Sequence, residues 1–349
     1  MVPRTVCIVR LSALGDCCHT LPVIRTLQDA WPDSRITWII GSTEFGLLGS
    51  IPDIEFLVLD KSKGFNALRE LRRTLRNRRF DLLLHMHPSM RANLASLQVT
   101  ADRRLGFDRD RARDLQWVFC NEQIEAHNRQ HVMESLFGFA EKLGVVQRSI
   151  RWDIPLSDQD FEFASQHTPA DRPFVVISAC SSLMRGRRIN YRNWLPERYA
   201  AVADHAADHW QVGVLLTGGD SKEEKAIAAN IVGHCRNQPV NLVGKTSLRQ
   251  LLAILSKASA LICPDSGPGH MATAVGTPVI GLFASTNPDR AAPYLSREWL
   301  INEYPGALHA ESGLSVTDAK WGKRIHSPKA MDRIRVEQVT ATLDRLLSD

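Results

Sequence analysis

The feature that most limits the fold of this 349-residue chain is a repeated alternation of short apolar runs with longer segments of helical periodicity. The runs occupy residues 5–10, 35–40, 56–59 and 81–85 in the first half, and residues 174–178, 212–217, 240–243, 261–263 and 279–283 in the second. Strands that are apolar on both faces belong to parallel sheets covered by helices. We therefore predict an α/β protein with two such sheets.

A polar connection at residues 157–172 separates the two halves. It carries Asp, Gln and His, has Pro169 inside it and Pro173 just after it, and contains few large apolar side chains. Linkers between domains often have this composition. We predict an N-terminal domain of residues 1–168 and a C-terminal domain of residues 169–349, the second ending in an amphipathic helix at residues 335–347.

Composition and cysteine usage favour a cytoplasmic protein. Hydrophobic residues make up 44% of the chain and charged residues 23%, as in soluble globular proteins. No apolar run approaches the roughly 18 residues of a membrane-spanning helix, and the run near the N-terminus is too short for a secretory signal. The seven cysteines include no C-x-x-C pair, which favours reduced thiols over a zinc site or disulfides.

The strongest functional motif is the segment at residues 264–278, with the sequence PDSGPGHMATAVGTP. An apolar run leads into a glycine-rich turn that opens a helix of small residues. Such a turn presents free backbone N–H groups and the positive end of a helix dipole to an anion. An ordinary strand-to-helix turn is the alternative. The combination of Asp265, Gly267 and His270 with a second turn at residues 284–288 favours a diphosphate site.

Asp16 is a second candidate functional residue. It follows the first apolar run and the turn at residues 12–15, at the start of the first predicted helix. Sheets of this class bind ligands at the carboxyl ends of their strands. Asp16 therefore either accepts a proton from a bound substrate or caps the helix.

Together these motifs carry a resemblance to a known family. The pattern D-[ST]-G-x-x-H, then G-x-P and a strand ending in a Ser/Thr-x-Pro turn, combines with residues 12–16 and 19–22 near the N-terminus. The sequence resembles the bacterial ADP-heptose:lipopolysaccharide heptosyltransferases, glycosyltransferase family 9, and is most similar to heptosyltransferase I. The resemblance implies the GT-B fold, in which two Rossmann-like domains face each other across a cleft, with acceptor bound by the N-terminal domain and donor by the C-terminal one.

The resemblance also implies roles for residues of the N-terminal half. Asp16 corresponds to the general base of the family. The acceptor-binding residues implied are Ser12, Lys61, Lys63 and Arg91. A Gln-Gly pair that is common in the family after the fourth apolar run is His-Pro at residues 87–88, so the acceptor is not defined by this loop.

In the C-terminal half the resemblance implies a donor site. Its residues are Gly218, Asp265, Ser266, Gly267, His270 and Thr286. A cation for the diphosphate is expected from Arg192, which precedes a Trp and a Pro, or else from Arg187 or Arg188. Glu223 or Glu224 is expected near the ribose or the base.

The implied reaction is a single inverting displacement. Heptose would pass from ADP-L-glycero-β-D-manno-heptose to a Kdo or phospho-Kdo residue of lipid A, in lipopolysaccharide inner-core assembly. We expect no cofactor and no metal. The D-x-D patterns at residues 108–110 and 158–160 do not follow apolar runs, and His85 and His87 have no Cys or carboxylate at hand to complete a metal site.

A basic stretch at residues 61–79 contains eight Lys or Arg against one acid, Glu70. It is either a solvated helix face or a surface for phosphate-bearing glycolipid or the membrane. Nucleic acid is not expected as a partner, because aromatic residues occur only at the ends of the stretch. We expect a protein that associates peripherally with the cytoplasmic face of the inner membrane.

Two classes of alternative remain open. One is another GT-B enzyme that uses nucleotide sugars, with a different donor or with epimerase activity. The other is a noncatalytic protein that binds anionic lipid or nucleic acid through the basic stretch.

Overall fold

Strands and helices alternate along most of the chain that the computed structural model describes, residues 2–181 and 190–348. The chain divides into two units between Pro155 and Leu156. In the described part of the first unit the strands are β1 (Thr5–Val9), β2 (Arg35–Gly41), β3 (Ile54–Leu59), β4 (Arg79–His85), β5 (Thr100–Gly106) and β6 (Glu122–Gln123). Its helices are α1 (Leu14–Ala30), α2 (Ser42–Leu48), α3 (Phe65–Leu75), α4 (Met90–Ser96) and α5 (Val132–Lys142).

The second unit repeats this alternation. Its described strands are β7 (Phe174–Ile177), β8 (Gly213–Leu216), β9 (Val240–Asn241), β10 (Ala260–Pro264), β11 (Val279–Phe283) and β12 (Ile301–Asn302). Its helices are α6 (Asp158–His167), α7 (Pro196–Trp210), α8 (Lys222–His234), α9 (Leu248–Leu255), α10 (Gly267–Ala274), α11 (Pro288–Ala291), α12 (Tyr304–Ser312) and α13 (Val336–Ser348). Among the described residues, no helix is long and apolar enough to cross a membrane.

Both sheets are parallel and have the same topology. The strand order is β3-β2-β1-β4-β5-β6 in the first unit and β12-β11-β10-β7-β8-β9 in the second, which is the Rossmann order in each case. The direction of winding reverses between β1 and β4, where Val9 pairs with His85, and between β7 and β10, where Ile177 pairs with Ile262. Ligands of such sheets bind at these switch points, beyond the carboxyl ends of the strands.

The central strands form because their residues are buried on both faces. In β1, residues Val6 to Val9 are fully buried, and all of β7, β10 and β11 is buried. The expectation of an α/β fold with two parallel sheets is confirmed. The strands β5, β6 and β12 lie towards the sheet edges and were not predicted, because their exposed faces carry charged or polar side chains that break the apolar pattern.

The polar segment at residues 157–172 is not a linker over most of its length. Ser157 caps α6, and the carboxylate of Asp160 accepts from the Ser157 N–H at 2.8 Å. Asp160 also pairs with Arg249 of α9 at 2.9 Å, which ties α6 to the second unit. The units therefore divide before α6, whereas the sequence predicts a boundary at residues 168 and 169.

A buried polar network fixes the loop that follows β4. The Nε2 atom of His85 lies 2.9 Å from Asn93 Oδ1, and the Gln116 side-chain amide lies 3.0 Å from His85 Nδ1. The same amide donates to the His85 carbonyl at 2.7 Å. Burial lowers the pKa of His85 to about 4, so the ring is neutral at physiological pH. The network thus joins β4, α4 and the turn at Gln116–Val118.

We predict that acidification destabilises the fold through His85. Because its pKa is about 4 in the folded protein and about 6.5 when exposed, the unfolded state binds the additional proton between these pH values. The contribution of the neutral ring is complete above about pH 6.5 and is lost towards pH 4, by about 3 kcal/mol. Urea unfolding at several pH values should give His85→Gln a flatter pH dependence than wild type. The exposed His127→Gln control should keep the wild-type slope; an unchanged slope in His85→Gln would contradict the prediction.

Candidate active site

In the first unit, the candidate base lies at the switch point of the sheet. Asp16 is in the first turn of α1, just beyond β1. Its Oδ2 atom lies 2.5 Å from Arg10 Nη2 and accepts from the Ala13 N–H at 3.3 Å. The side chain is 34% exposed, so a substrate hydroxyl can reach it. Asp16 therefore contributes to capping the helix, as one alternative predicted, and its carboxylate is also accessible beyond the carboxyl end of β1.

Arg10 is a site residue that the sequence did not single out. Its side chain is buried, and besides the ion pair with Asp16 its Nη1 donates to the Met86 carbonyl at 2.5 Å. The Arg10 carbonyl accepts from the Trp38 indole N–H at 3.0 Å. A guanidinium held at both ends orients the carboxylate of Asp16. The only signal for it in the sequence is an arginine that ends an otherwise apolar run.

His87 lies beside this ion pair, after the end of β4. Its Nδ1 accepts from the Leu11 N–H at 3.1 Å, so the proton of the neutral ring is on Nε2. Burial and the charge of Arg10 lower the pKa of His87 to about 3. His85 and His87 thus have separate hydrogen-bond partners. Within residues 2–181 and 190–348, no three His, Cys, Asp or Glu side chains are grouped to hold a metal ion.

A second carboxyl, on Glu44 of α2, lies at the same edge of the sheet. It is buried, and burial raises its pKa. Gly41 permits this packing, because a Cβ atom there would lie 2.4 Å from the Leu11 carbonyl oxygen and 2.5 Å from Glu44 Oε2. Nothing in the sequence alone indicated Glu44, since a Glu in the first turn of a helix is common.

The expected acceptor residues all follow strands of the first sheet. Ser12 is half-buried in the turn before α1, joined to Ala13 by a cis peptide bond. Lys61 and Lys63 are exposed in a 3-10 turn after the edge strand β3, where Lys63 pairs with Glu70 at 2.9 Å. Arg91 is exposed in the first turn of α4, after β4. Ser12 and Arg91 therefore follow neighbouring strands, whereas the lysines lie two strands away.

In the second unit, the glycine-rich motif forms the turn after β10. Ser266 is the N-cap residue of α10, which begins at Gly267. The Ser266 hydroxyl is buried beside the Cys263 thiol. Close approach requires glycine at 269, since a Cβ atom there would lie 3.1 Å from Pro293 and 3.2 Å from Cys263. The first turn of α10, which includes the buried His270, presents backbone N–H groups suited to an anion.

Arg192 contacts the same turn. Its Nη1 donates to the Asp265 carbonyl at 3.1 Å and lies 3.5 Å from Asp265 Oδ2. Arg187 and Arg188, the other candidate cations, lie outside the described residues. Thr286 is buried in the turn after β11 and lines a polar pocket together with Asp265. The structure thus brings together Arg192, Asp265, Ser266 and Thr286.

A separate, mainly apolar pocket lies at the carboxyl ends of β7 and β8. Gly218 and Glu224 line it, with Ile177, Ala179, Cys180, Leu216 and Val243 among the other lining residues. Glu224 Oε2 accepts from the Gly219 N–H at 2.5 Å. Of the two glutamates predicted near the nucleoside, Glu224 faces this pocket, whereas Glu223 is exposed. Apart from Thr217 and Glu224, the side chains that line this pocket are apolar.

Comparisons with known proteins match most of the chain to one family. Residues 68–308 match the model of glycosyltransferase family 9 (heptosyltransferase). The lipopolysaccharide core heptosyltransferase OpsX of Haemophilus influenzae is 38% identical over 344 residues, covering 99% of this chain and 97% of that protein.

Solved structures extend the match to the fold. A family 9 glycosyltransferase from Veillonella parvula superposes with a TM-score of 0.80 at 22% identity, covering 99% of this chain and 97% of its own. The Escherichia coli heptosyltransferase WaaC with ADP has a TM-score of 0.70 at 17% identity, with 98% and 99% covered. The expected GT-B fold class is thereby confirmed, and the chain belongs to glycosyltransferase family 9, the heptosyltransferases.

Proposed function

We propose that this glycosyltransferase moves L-glycero-D-manno-heptose from ADP-heptose to a Kdo or phospho-Kdo residue of lipid A in the lipopolysaccharide inner core. The observation that carries the proposal is the carboxylate of Asp16, oriented by the buried Arg10 at the switch point of the first sheet and still 34% exposed. The names of its relatives support the substrate class, because OpsX is a lipopolysaccharide core heptosyltransferase and WaaC was solved with ADP.

We assign the binding site of the donor to the second unit. The diphosphate would lie at the N-terminus of α10, held by N–H groups of the turn, the Ser266 hydroxyl, His270 and Arg192. The adenosine would occupy the apolar pocket of Gly218 and Glu224. Asp265 and Thr286, which share the polar pocket, would complete the site on the side of the sugar and diphosphate.

The reaction follows from these groups. Asp16 removes the proton of an acceptor hydroxyl, whose oxygen attacks the anomeric carbon of the heptose. The bond from that carbon to the phosphate oxygen breaks, the configuration inverts, and ADP leaves with the bonding electron pair. Its additional negative charge is stabilised by the N-terminal N–H groups of α10 and by Arg192. Side chains and backbone N–H groups of the protein would thus supply both the base and the stabilisation of the leaving group.

We assign the binding site of the acceptor to the first unit. Lys61, Lys63 and Arg91 would contact its phosphate or carboxylate groups, and Ser12 would contact a hydroxyl near the base. Kdo carries a carboxylate and lipid A carries phosphates, so exposed cations at this edge of the sheet suit the acceptor.

We predict that Asp16→Asn lowers kcat by about two to four orders of magnitude, because the general base is lost. The amide can still accept hydrogen bonds from Arg10 and Ala13, so the fold and the Kd for ADP should be unchanged. Initial rates and calorimetric titration with ADP measure the two effects. Asp33→Asn, an exposed acid of the same unit, is the matched control and should leave kcat unaffected. Loss of ADP binding together with activity would make Asp16 a structural residue instead.

A donor and acceptor panel tests the reaction itself. With ADP-heptose alone we expect little ADP release, whereas addition of Kdo-lipid A should release ADP and increase the acceptor mass by one heptose. Mass spectrometry follows both products. Conversion of ADP-heptose to an isomer without acceptor would identify an epimerase. Salt-sensitive binding of duplex DNA that survives substitution of Asp16 and His270 would identify a noncatalytic binding protein.

We further propose that the enzyme rests on the cytoplasmic face of the inner membrane through α3 and the turn before it. Arg69, Arg72 and Arg73 are exposed on this helix and Arg76 directly after it, and Phe65 at its start is 76% exposed. Cations that meet anionic lipid, combined with an exposed aromatic side chain, suit an interfacial helix.

Sedimentation with vesicles tests this surface. Arg72→Glu with Arg73→Glu should weaken binding to vesicles containing phosphatidylglycerol by about tenfold or more, because each basic residue near the membrane surface contributes about 1 kcal/mol. Arg4→Glu with Arg35→Glu, which replaces two exposed arginines of the same unit outside α3, is the matched control and should bind as wild type does. Equal weakening in both variants would indicate a general charge effect and contradict the proposed surface.

A further inference from the structure

A polar pocket in the second unit is lined by several cationic side chains that the proposed donor site does not include. Its lining includes the cationic side chains of Arg290, Lys323 and Arg324, together with Asp265, Thr286 and Asn287. Among these described lining residues Asp265 is the one acid, and it already lies 3.5 Å from Arg192. The pocket therefore has a net positive charge.

Two of these cations come from a segment that the sequence did not connect with function. Residues 313–330 join α12 to the 3-10 turn Met331–Arg333, and we name this segment the basic strap. It returns to the carboxyl end of the second sheet, where the Ile325 N–H donates to the Ser285 carbonyl at 2.9 Å. The Tyr304 hydroxyl donates to the Lys323 carbonyl at 2.9 Å. Lys323 and Arg324 thus project from backbone that is fixed beside the turn after β11.

Packing around the strap also supports a preformed site. Ile325 is buried, with 1% of its surface exposed, and anchors the strap in the core of the second unit. The Asn287 side-chain amide lies 3.5 Å from the Trp321 carbonyl. At Gly322 a Cβ atom would lie 3.5 Å from Arg290 Nε, so the strap backbone packs against this guanidinium. Arg290, Lys323 and Arg324 therefore line one pocket, where a bound anion would interact with all three positive charges.

The chemistry of the lining identifies the class of anion. Guanidinium and ammonium groups supply charge-assisted donors, and the Thr286 hydroxyl and Asn287 amide supply neutral ones. A neutral sugar needs no such excess of positive charge, whereas a phosphoryl group carries several acceptor oxygens and negative charge. The pocket also includes Asp265, the residue directly before the N-cap of α10.

We propose that the basic strap, through Lys323 and Arg324 and together with Arg290, binds a phosphoryl group of a substrate. This inference rests on the proposed function, in which such groups occur in two places: the diphosphate of the donor and a phosphate on the acceptor. In the first case the strap adds positive charge to that of Arg192 where the leaving group becomes more negative. In the second it selects acceptors that carry phosphate.

The test combines Lys323→Met with Arg324→Gln and compares nucleotides by calorimetry. If the donor diphosphate occupies the pocket, the Kd for ADP rises by about tenfold or more, because two charge-assisted contacts are lost, while the Kd for AMP changes little. If an acceptor phosphate occupies it, the Kd for ADP is unchanged and KM rises by a similar factor for a phosphorylated acceptor but not for an unphosphorylated one. If neither quantity changes, the proposal is overturned.

Two further measurements keep the test decisive. Lys320→Met with Lys329→Gln removes two exposed cations of the same strap that do not line the pocket, and it should match wild type in both assays. The conservative variant Arg324→Lys, which retains the charge, should keep most of the affinity and guards against misfolding. If wild type bound neither ADP nor ADP-heptose, the proposed function would fail. Direct calorimetric titration with inorganic pyrophosphate and with phosphate, compared in wild type and the double variant, would still test the strap.

Discussion

The carboxyl ends of parallel strands meet at one edge of a sheet, and this constraint determines where every candidate site residue of the protein lies. In the first unit the winding reverses between β1 and β4, so Asp16 and His87 follow adjacent strands. In the second it reverses between β7 and β10, and Asp265 follows β10. Residues distant in sequence become neighbours because their strands are adjacent in the sheet. The loops that follow these two strands lead to opposite faces of the sheet and leave a crevice where a ligand can bind.

This constraint explains which elements the sequence could predict. The strands β1, β7, β10 and β11 are buried on both faces and therefore read as continuous apolar runs. At the edges the pattern fails: β5 contains the sequence TADRRLG, with Arg103 paired to Glu122 of β6 across the exposed face. The sequence of α6 also resembled that of a linker, because it lacks an apolar stripe. The helix is instead held by its N-cap and by the ion pair between Asp160 and Arg249.

Some residues of the candidate site could likewise be predicted from the sequence, and others could not. Glycine-rich turns after apolar strands have local sequence signals, so the segment around Ser266 and the acid at Asp16 could be predicted. Arg10, Glu44 and Lys323 could not, because each acquires its place through a tertiary contact: the Met86 carbonyl, the close approach at Gly41, and the hydrogen bond from Tyr304. A charged residue beside an apolar run has no distinctive pattern until the partner that offsets its desolvation is known.

The ion pair between Arg10 and Asp16 also makes helix capping compatible with the proposed catalytic role of this carboxylate. A buried guanidinium is costly unless its donors are satisfied, and here the Met86 carbonyl and Asp16 satisfy two of them. The same contacts fix the position of Asp16, with one oxygen directed to Arg10 and to the Ala13 N–H. A carboxylate held in this way loses little conformational entropy when a substrate arrives, so the interaction that stabilises the start of α1 would also pre-organise the proposed base.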